Sequence, residues 1–247
     1  MKEKKPQISI ITVSYNAVST IDATIDSVAA LDDLSIEYIV VDGGSTDGTV
    51  EILRSRCDVV DRLVSERDAG IYDAMNKGLA LATGEFCLFL GADDQILCNG
   101  FRDAISRLTD FRTIYYGKVV RGGQHFGYRT NRWSILRRNI PHQAIFYPKS
   151  AYSFNKYSLK YRICSDHEYN IRLMHRGFKF VYLNICVSEF GEEGVSSTSI
   201  DYEFLDDYLK IVKNNANPIL YWFVRMGKSL KKWRKNGFFG IDRKNPE

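Results

Sequence analysis

Apolar and polar positions along the chain fall into two spacings that separate strands from helices. Ile8 to Val13 (ISIITV), Ile36 to Val41 (IEYIVV) and Phe86 to Leu90 (FCLFL) are short, almost unbroken apolar runs. Runs of that length predict strands covered on both faces, as in a parallel sheet. Between them the apolar residues recur every three or four positions. Ile21, Ile25, Val28 and Leu31 mark one helix, with Ser19 or Thr20 to cap it. Ile71, Met75, Leu79 and Ala82 mark another, which Gly84 is expected to stop. A shorter helix is expected from about Thr49 to Arg56. Strand, helix, strand, helix at this spacing predicts right-handed βαβ units and an α/β fold.

The second half is less regular. A helix is expected from Gly100 to Leu108, then strands at Thr113 to Val120, Ile145 to Tyr147 and Phe180 to Val187, and a helix from Asp201 to Asn214. Ser165, with Glu168 three residues on, reads as a capping box that opens a further helix and puts Asp166 in its first turn. Beyond residue 215 the pattern changes. On a helical wheel Ile219, Trp222, Phe223, Met226, Leu230 and Trp233 form one stripe, flanked by Arg225, Lys228, Lys231, Lys232, Arg234 and Lys235. An aromatic apolar face beside a Lys/Arg face predicts a helix lying in a membrane interface over 219–235. The alternative is a helix packed on the domain with a solvated basic face.

Charge sharpens that division. The chain of 247 residues has a formal net charge of +4, but Arg225 to Glu247 holds eight Lys/Arg against two acids, a net +6. The other 224 residues therefore net −2. No recognised module accompanies the basic residues, so nucleic acid is not an expected partner. No apolar run approaches 18 residues, and the N-terminus MKEKKPQ enters a strand without a signal-peptide apolar region. Five scattered cysteines with no CxxC pair predict reduced thiols in the cytosol.

Candidate chemistry gathers where strands end. The second strand runs into Asp42-Gly43-Gly44-Ser45-Thr46-Asp47-Gly48-Thr49, a turn that is neither GxGxxG nor a Walker loop. Asp42, just past a strand, can accept hydrogen bonds from a ribose or a base edge; turn and cap chemistry is the alternative for it and for Asp47. The third apolar run ends in Gly91-Ala92-Asp93-Asp94. Two adjacent carboxylates beyond a strand suit a divalent cation with its phosphate ligand, or else cap the next helix. Arg121, Arg129, Arg132, Arg137 and Arg138, interleaved with Tyr128 and Trp133, form a polar aromatic loop suited to a sugar- or phosphate-contacting lid or to plain solvation. His142 is a candidate contact for diphosphate or acceptor, with a structural role as the alternative.

Four segments in this order, ITVSYNA, VVDGGSTDGT, ERDAGIYDAMNKG and the acidic turn, resemble the family-2 inverting glycosyltransferases of GT-A fold. Within that family the chain is similar to bacterial enzymes that build surface polysaccharide, over roughly Gln7 to Val195. The resemblance implies a Rossmann-like, mostly parallel central sheet flanked by helices. It implies a glycosyltransferase domain over 1–215, with a nucleotide-binding half at about 7–98 and an acceptor half at about 99–215, while 216–247 is the basic amphipathic tail already read from its own pattern. It implies that Val13 and Tyr15 line a nucleobase pocket, that Asp42 binds the uracil-type edge or ribose, and that Arg67 and Asp68 lie along the nucleotide. Asp93, with Asp94 beside it, would hold Mg²⁺ or Mn²⁺ on the diphosphate. The usual metal motif is Asp-x-Asp, and Gly91 stands where its first acid would be. The Gly/Ser loop from Glu189 to Ser197 resembles a segment that closes over donor and acceptor. Asp166 aligns with the catalytic base, Ser165 replacing the acid usually before it, with His167 and Glu168 as competing candidates.

The expectation is thus an inverting transferase that takes a nucleotide-diphospho-sugar to a polyprenyl-diphosphate-linked saccharide, in the cytoplasm at the inner face of the cytoplasmic membrane. Two rivals remain at this point. A sugar-phosphate nucleotidylyltransferase would need a glycine-rich basic loop after the first strand, where SYNAVST is neither. A non-catalytic nucleotide-sugar or membrane-binding module is suggested by Gly91 and Ser165.

Overall fold

The computed structural model describes residues 7–191 and 200–226. The first half contains β1 (Ile8–Ser14), α1 (Ile21–Ala29), β2 (Ile36–Asp42), α2 (Thr49–Ser55), β3 (Arg62–Ser65), α3 (Ile71–Leu81) and β4 (Phe86–Gly91). These four strands are parallel and ordered β3-β2-β1-β4. The chain therefore works outward from β1 on one side and returns through α3 to pair on the other. The strand order reverses between β1 and β4, the kind of switch point at which open α/β sheets leave a crevice.

The three apolar runs are strands buried on both faces. In β4, Cys87 and Phe89 join one core with Ile11, Ile39, Val41 and the α3 residues Met75 and Leu79. Phe86, Leu88 and Leu90 join the opposite core with Ile10, Val40 and the α1 residues Ile21, Ile25 and Val28. The expected face of α3 holds at Met75 and Leu79 but not in the first turn, where Ile71 is exposed and Tyr72 points inward instead. Gly84 does not stop the helix by a left-handed turn, because Ala82 has already become extended. Its role is close approach, since a Cβ there would lie 2.6 Å from the Ser9 nitrogen of β1.

The second half extends the same sheet. Its elements are β5 (Gln95–Ile96), α4 (Cys98–Ser106), β6 (Thr113–Arg121), β7 (Gln124–Phe126), a single 3₁₀ turn at His142–Ala144, β8 (Ile145–Pro148), α5 (Lys149–Tyr152), α6 (Ser165–His175), β9 (Lys179–Glu189), α7 (Tyr202–Asn215) and α8 (Pro218–Met226). The order continues β4-β8-β6-β9-β5, with β7 folded back on β6, to complete nine strands. β8 is antiparallel to both β4 and β6, and β6 is parallel to β9.

The expected capping box at Ser165 does not form. The N-cap residue is Cys164, and Glu168 turns toward Arg172, which offers a two-pronged, charge-assisted pair at 3.0 and 3.2 Å. The amides of Ile163 and Cys164 are met instead by Oδ2 of Asp201, the residue whose Oδ1 caps α7 by accepting from Phe204. One carboxylate thus ties the start of α6 to the start of α7. At the C-terminal end, α8 turns Leu220, Tyr221 and Val224 onto the core, and leaves Ile219, Trp222, Phe223 and Met226 exposed. The rest of the expected tail helix, 227–235, and residues 192–199 of the Gly/Ser loop lie outside the described residues.

Candidate active site

Register explains how the first cluster assembles. β1 and β2 pair Ser14 with Asp42, and β2 and β3 pair Asp42 with Ser65. Asp42 is therefore flanked by two hydroxyls, at 3.1 Å from Ser14 and 2.8 Å from Ser65. Its carboxylate also accepts from the amides of Gly44 and Ser45, each at 3.0 Å, and from the Ser45 hydroxyl. Burial alone would raise its pKa, but this set of donors outweighs burial and holds the group below the usual carboxylate range. Asp42 is fully buried and shapes the glycine turn from beneath. Asp47 acts the same way at the turn's far end, accepting from Thr49 and from the amide of Val18.

The loop Arg67 to Gly70 comes down on that turn. A Cβ on Gly43 would lie 2.6 Å from Asp68 Oδ2 and 3.3 Å from the Tyr15 ring, and one on Gly44 would lie 3.4 Å from Arg67 Cγ. Tyr15, Asp42, Arg67 and Asp68 are thus brought together at one sheet edge, around two glycines that leave room for them. Tyr15 is 67% exposed, an aromatic face that the fold leaves uncovered. Val13 is half-buried beside it, paired across the sheet with Val41 and with Gly91.

Gly91 leads into the acidic turn. Asp94 is buried and spans the turn, accepting from Gly91 N–H at 2.8 Å and from Gly191 N–H at 2.9 Å. A Cβ at position 91 would meet Asp94 Oδ2 at 2.6 Å, so the Asp94 carboxylate fills the space that a first acid of an Asp-x-Asp motif would need. Asp94 braces the turn, while Asp93 is half-buried against Gly191. Among the described residues no group of three His, Cys, Asp or Glu side chains could enclose a metal ion. The donor set here, one carboxylate at the strand edge, fits the way Mg²⁺ is bound with substrate phosphates rather than in an all-protein cage.

The third cluster is centred on Asp166. Tyr72, in the first turn of α3, lies 3.0 Å from Asp166 Oδ1 and 2.5 Å from the Ile163 carbonyl. The amide of His167 donates to the same Oδ1 at 2.8 Å. Asn139 Nδ2 donates to Oδ2 at 2.6 Å, and His142 Nδ1 stands 3.7 Å from that oxygen, beyond hydrogen-bond reach. Burial pushes the Asp166 pKa up, but His142, His167 and Tyr72 outweigh it and keep the group below the usual carboxylate range. The competing candidates are occupied otherwise. His167 is buried, stacked on Phe204, with Nε2 2.6 Å from the Ile135 carbonyl, and burial lowers its pKa. Glu168 is taken by Arg172.

Asn139 and Tyr72 were not flagged by periodicity. Tyr72 stands one residue from Ile71, which the helical spacing assigns to the buried face, and Asn139 lies in a loop without pattern. That loop has further order. Tyr128 donates to the Asn139 carbonyl at 2.7 Å, Arg138 stacks on Tyr128, and Arg137 lies over Trp133. Trp133 in turn meets Phe223 of α8 edge-on at 6.3 Å. Arg129, Arg132, Arg137 and Arg138 are exposed and form no salt bridge among the described residues.

The reversed strand order, the glycine turn under a tyrosine and an acidic turn at the next strand define an α/β enzyme of the GT-A type. A model of Glycosyl transferase family 2 matches residues 9–177, and the chain belongs to that family: it is a glycosyltransferase. The PGL/p-HBAD biosynthesis glycosyltransferase of Mycobacterium bovis is 35% identical over 220 residues, an alignment covering 81% of this chain and 83% of the relative. S. aureus TarS has the same fold, with a TM-score of 0.74 at 17% identity over 96% of this chain and 46% of the TarS chain. TarS 1–349 in complex with UDP-GlcNAc aligns at a TM-score of 0.70 and 20% identity, covering 94% of this chain and 75% of that one. The mannosyltransferase PcManGT of Pyrobaculum calidifontis, in complex with GDP-Man and Mn²⁺, aligns at 0.59 and 17% identity, covering 94% and 83%.

Proposed function

We propose that the protein moves a sugar, with inversion, from a nucleotide-diphospho-sugar to a hydroxyl of a saccharide acceptor in surface polysaccharide assembly. The observation that carries this reading is the bond between Tyr72 and Asp166. Tyr72 follows the Arg67–Asp68 loop by four residues, so one short segment joins the donor edge to an ionised carboxylate on α6. An inverting transfer needs that juxtaposition, because the acceptor must attack from the side opposite the departing diphosphate. Tyr15 and Val13 would stack and flank the base, with Asp42 holding the turn beneath it and Arg67 and Asp68 along the nucleotide. Asp166 Oδ2 would take the acceptor's proton as its oxygen bonds to the anomeric carbon, and the nucleoside diphosphate leaves with the electron pair of the broken bond. Mg²⁺ or Mn²⁺ held by Asp93, when bound, would neutralise charge on that leaving group. His142, beside the open side of Oδ2, would contact the acceptor.

The acceptor is proposed to be a polyprenyl-diphosphate-linked saccharide, met at the inner face of the cytoplasmic membrane. The support is the exposed stripe of α8, which meets Trp133, together with the exposed arginines of the same loop and the basic residues from Arg225 onward. No helix among the described residues is long and apolar enough to cross a membrane. A surface-lying attachment is therefore the form that this stripe supports.

Thermal shift with a panel of UDP- and GDP-sugars, with and without MnCl₂, tests the donor reading, since a ligand that binds the folded state raises Tm by mass action. Asp93→Ala is expected to keep its unliganded Tm and lose the Mn²⁺-dependent part of the shift. A variant with an undiminished Mn²⁺-dependent shift would show that the ion is held elsewhere.

A further inference from the structure

A general base is useful only if it is ionised, held still and open on one side, and the surroundings of Asp166 meet those conditions. A carboxylate offers about four acceptor sites. On Oδ1 two are used, by the Tyr72 hydroxyl and the His167 amide; on Oδ2 one is used, by Asn139. The remaining site on Oδ2 faces His142, whose 3.7 Å separation leaves it unfilled.

Asn139 has a carboxamide that would work only one way round. Its Oδ1 accepts from Asn170 Nδ2 at 3.0 Å, which turns its Nδ2 toward Asp166. Asn170 is fixed in the same way, because its Oδ1 accepts from the Tyr147 hydroxyl at 2.8 Å. Tyr147 is fully buried, and burial pushes its pKa far up, so the phenol stays a donor. The chain Tyr147, Asn170, Asn139, Asp166 thus runs donor to acceptor at every step, from β8 through α6 to the loop and back to α6. Each amide orientation follows from the one before it. With every partner a donor, the chain favours the ionised carboxylate.

We propose that Asn139, oriented by Asn170 and Tyr147, is a positioning residue that keeps Asp166 ionised and presents the free side of Oδ2 to the acceptor hydroxyl. The proposal deepens the reading of Asp166 as the base and rests on it for its catalytic consequence. Its electrostatic part stands separately. The titratable groups around Asp166 are Tyr72 from α3, Cys164 and His167 from the start of α6, His142 from the 3₁₀ turn, and Tyr147 and Tyr157. Burial keeps the tyrosines and the cysteine protonated and His167 neutral.

The test is a pH titration of the Asp166 carboxyl carbon by NMR in ¹³C-aspartate-labelled full-length protein, the signal being assigned by its loss in Asp166→Asn. Asn139→Leu should raise the midpoint by about one pH unit, as expected for losing a hydrogen bond to the charged form. Tyr147→Phe, whose hydroxyl lies two residues away from the carboxylate in the chain, should raise it by a smaller amount while the Tm stays within a few degrees. It serves as the milder variant should Asn139→Leu fold poorly. In turnover of the sugar donor that thermal shift selects, both variants should lower kcat, roughly tenfold or less for Tyr147→Phe, with the donor KM unchanged. Unmoved midpoints in the two variants would overturn the proposal. If instead the midpoints move and Asp166→Asn keeps near-normal turnover, rather than losing roughly 10²–10⁴-fold, the network stands and the base reading fails.

Discussion

Gly91 is the residue at which this chain departs from the Asp-x-Asp pattern, and its surroundings say what the departure means. Asp94 lies where a side chain at 91 would go and uses both oxygens on backbone amides. Restoring the missing acid should therefore harm the turn rather than complete it. Gly91→Asp is expected to destabilise the fold by roughly 1–3 kcal/mol, the cost of leaving buried polar groups unpaired. It should also weaken the Mn²⁺-dependent thermal shift. Gly91→Ala should do much of the same, because the Cβ alone makes the collision. An unchanged Tm and a stronger Mn²⁺ response in Gly91→Asp would show that the site lacks an acid rather than being closed to one. The acids themselves were readable from sequence, since each follows an apolar run that announces a strand end. The brace was not readable, because it depends on Gly191, ninety-seven residues further on from Asp94.

At the scale of elements, α6 holds the proposed base and is deeply buried, with Ser165 through Ile171 all inside. A helix is readable here and Tyr169, Ile171, Leu173 and Met174 mark its core side, but Ser165 to Glu168 are polar and yet buried, so hydrophobicity does not announce what they pack against. The amides just before α6 are held by Asp201 at the start of α7, a contact between residues too far apart for a local motif to show. The short β3 escaped notice for a related reason: Arg62–Ser65 is only partly covered and holds its place by pairing with β2. The burial of α6 has a consequence for pH. Burial lowers the pKa of His167 from an ordinary 6.5, so the unfolded chain binds the proton more readily than the folded one. Stability is then full above about pH 6.5 and falls as the pH drops below it. His175, at the other end of the helix, is lowered by burial too and acts in the same direction. His167→Gln, which can still donate to the Ile135 carbonyl, should lower Tm at pH 8 through lost stacking on Phe204. It should also flatten the fall in Tm between pH 7 and pH 5.5. A slope identical to that of the parent protein would remove His167 from the account.

At the scale of the whole molecule, the sheet joins the edge around Tyr15, Asp42 and Asp93, readable in sequence, to the surroundings of Asp166, which are not, and the loop 128–139 connects that side to α8. Asn139 touches Asp166 at the end of the loop, and Trp133, midway along it, touches Phe223. If α8 lies on a membrane, this loop would link the proposed base to that surface. The helix wheel described the outward stripe well, but it could not show that Leu220, Tyr221 and Val224 pack inward. Cutting the tail away would therefore uncover core as well as remove the stripe, and point substitutions separate the two effects. Trp222→Ser with Met226→Ser should leave Tm nearly unchanged, because both side chains are exposed. It should markedly reduce co-sedimentation with vesicles of phosphatidylglycerol and phosphatidylcholine. Leu220→Ser should do the reverse, lowering Tm by exposing core at modest cost to vesicle binding. Salt should weaken the attachment of the parent protein, since each basic residue near an anionic surface contributes on the order of 1 kcal/mol that ions screen. Vesicle binding unaffected by Trp222→Ser with Met226→Ser would assign the stripe to some other partner, and the proposed link from Asp166 to the membrane would fail with it.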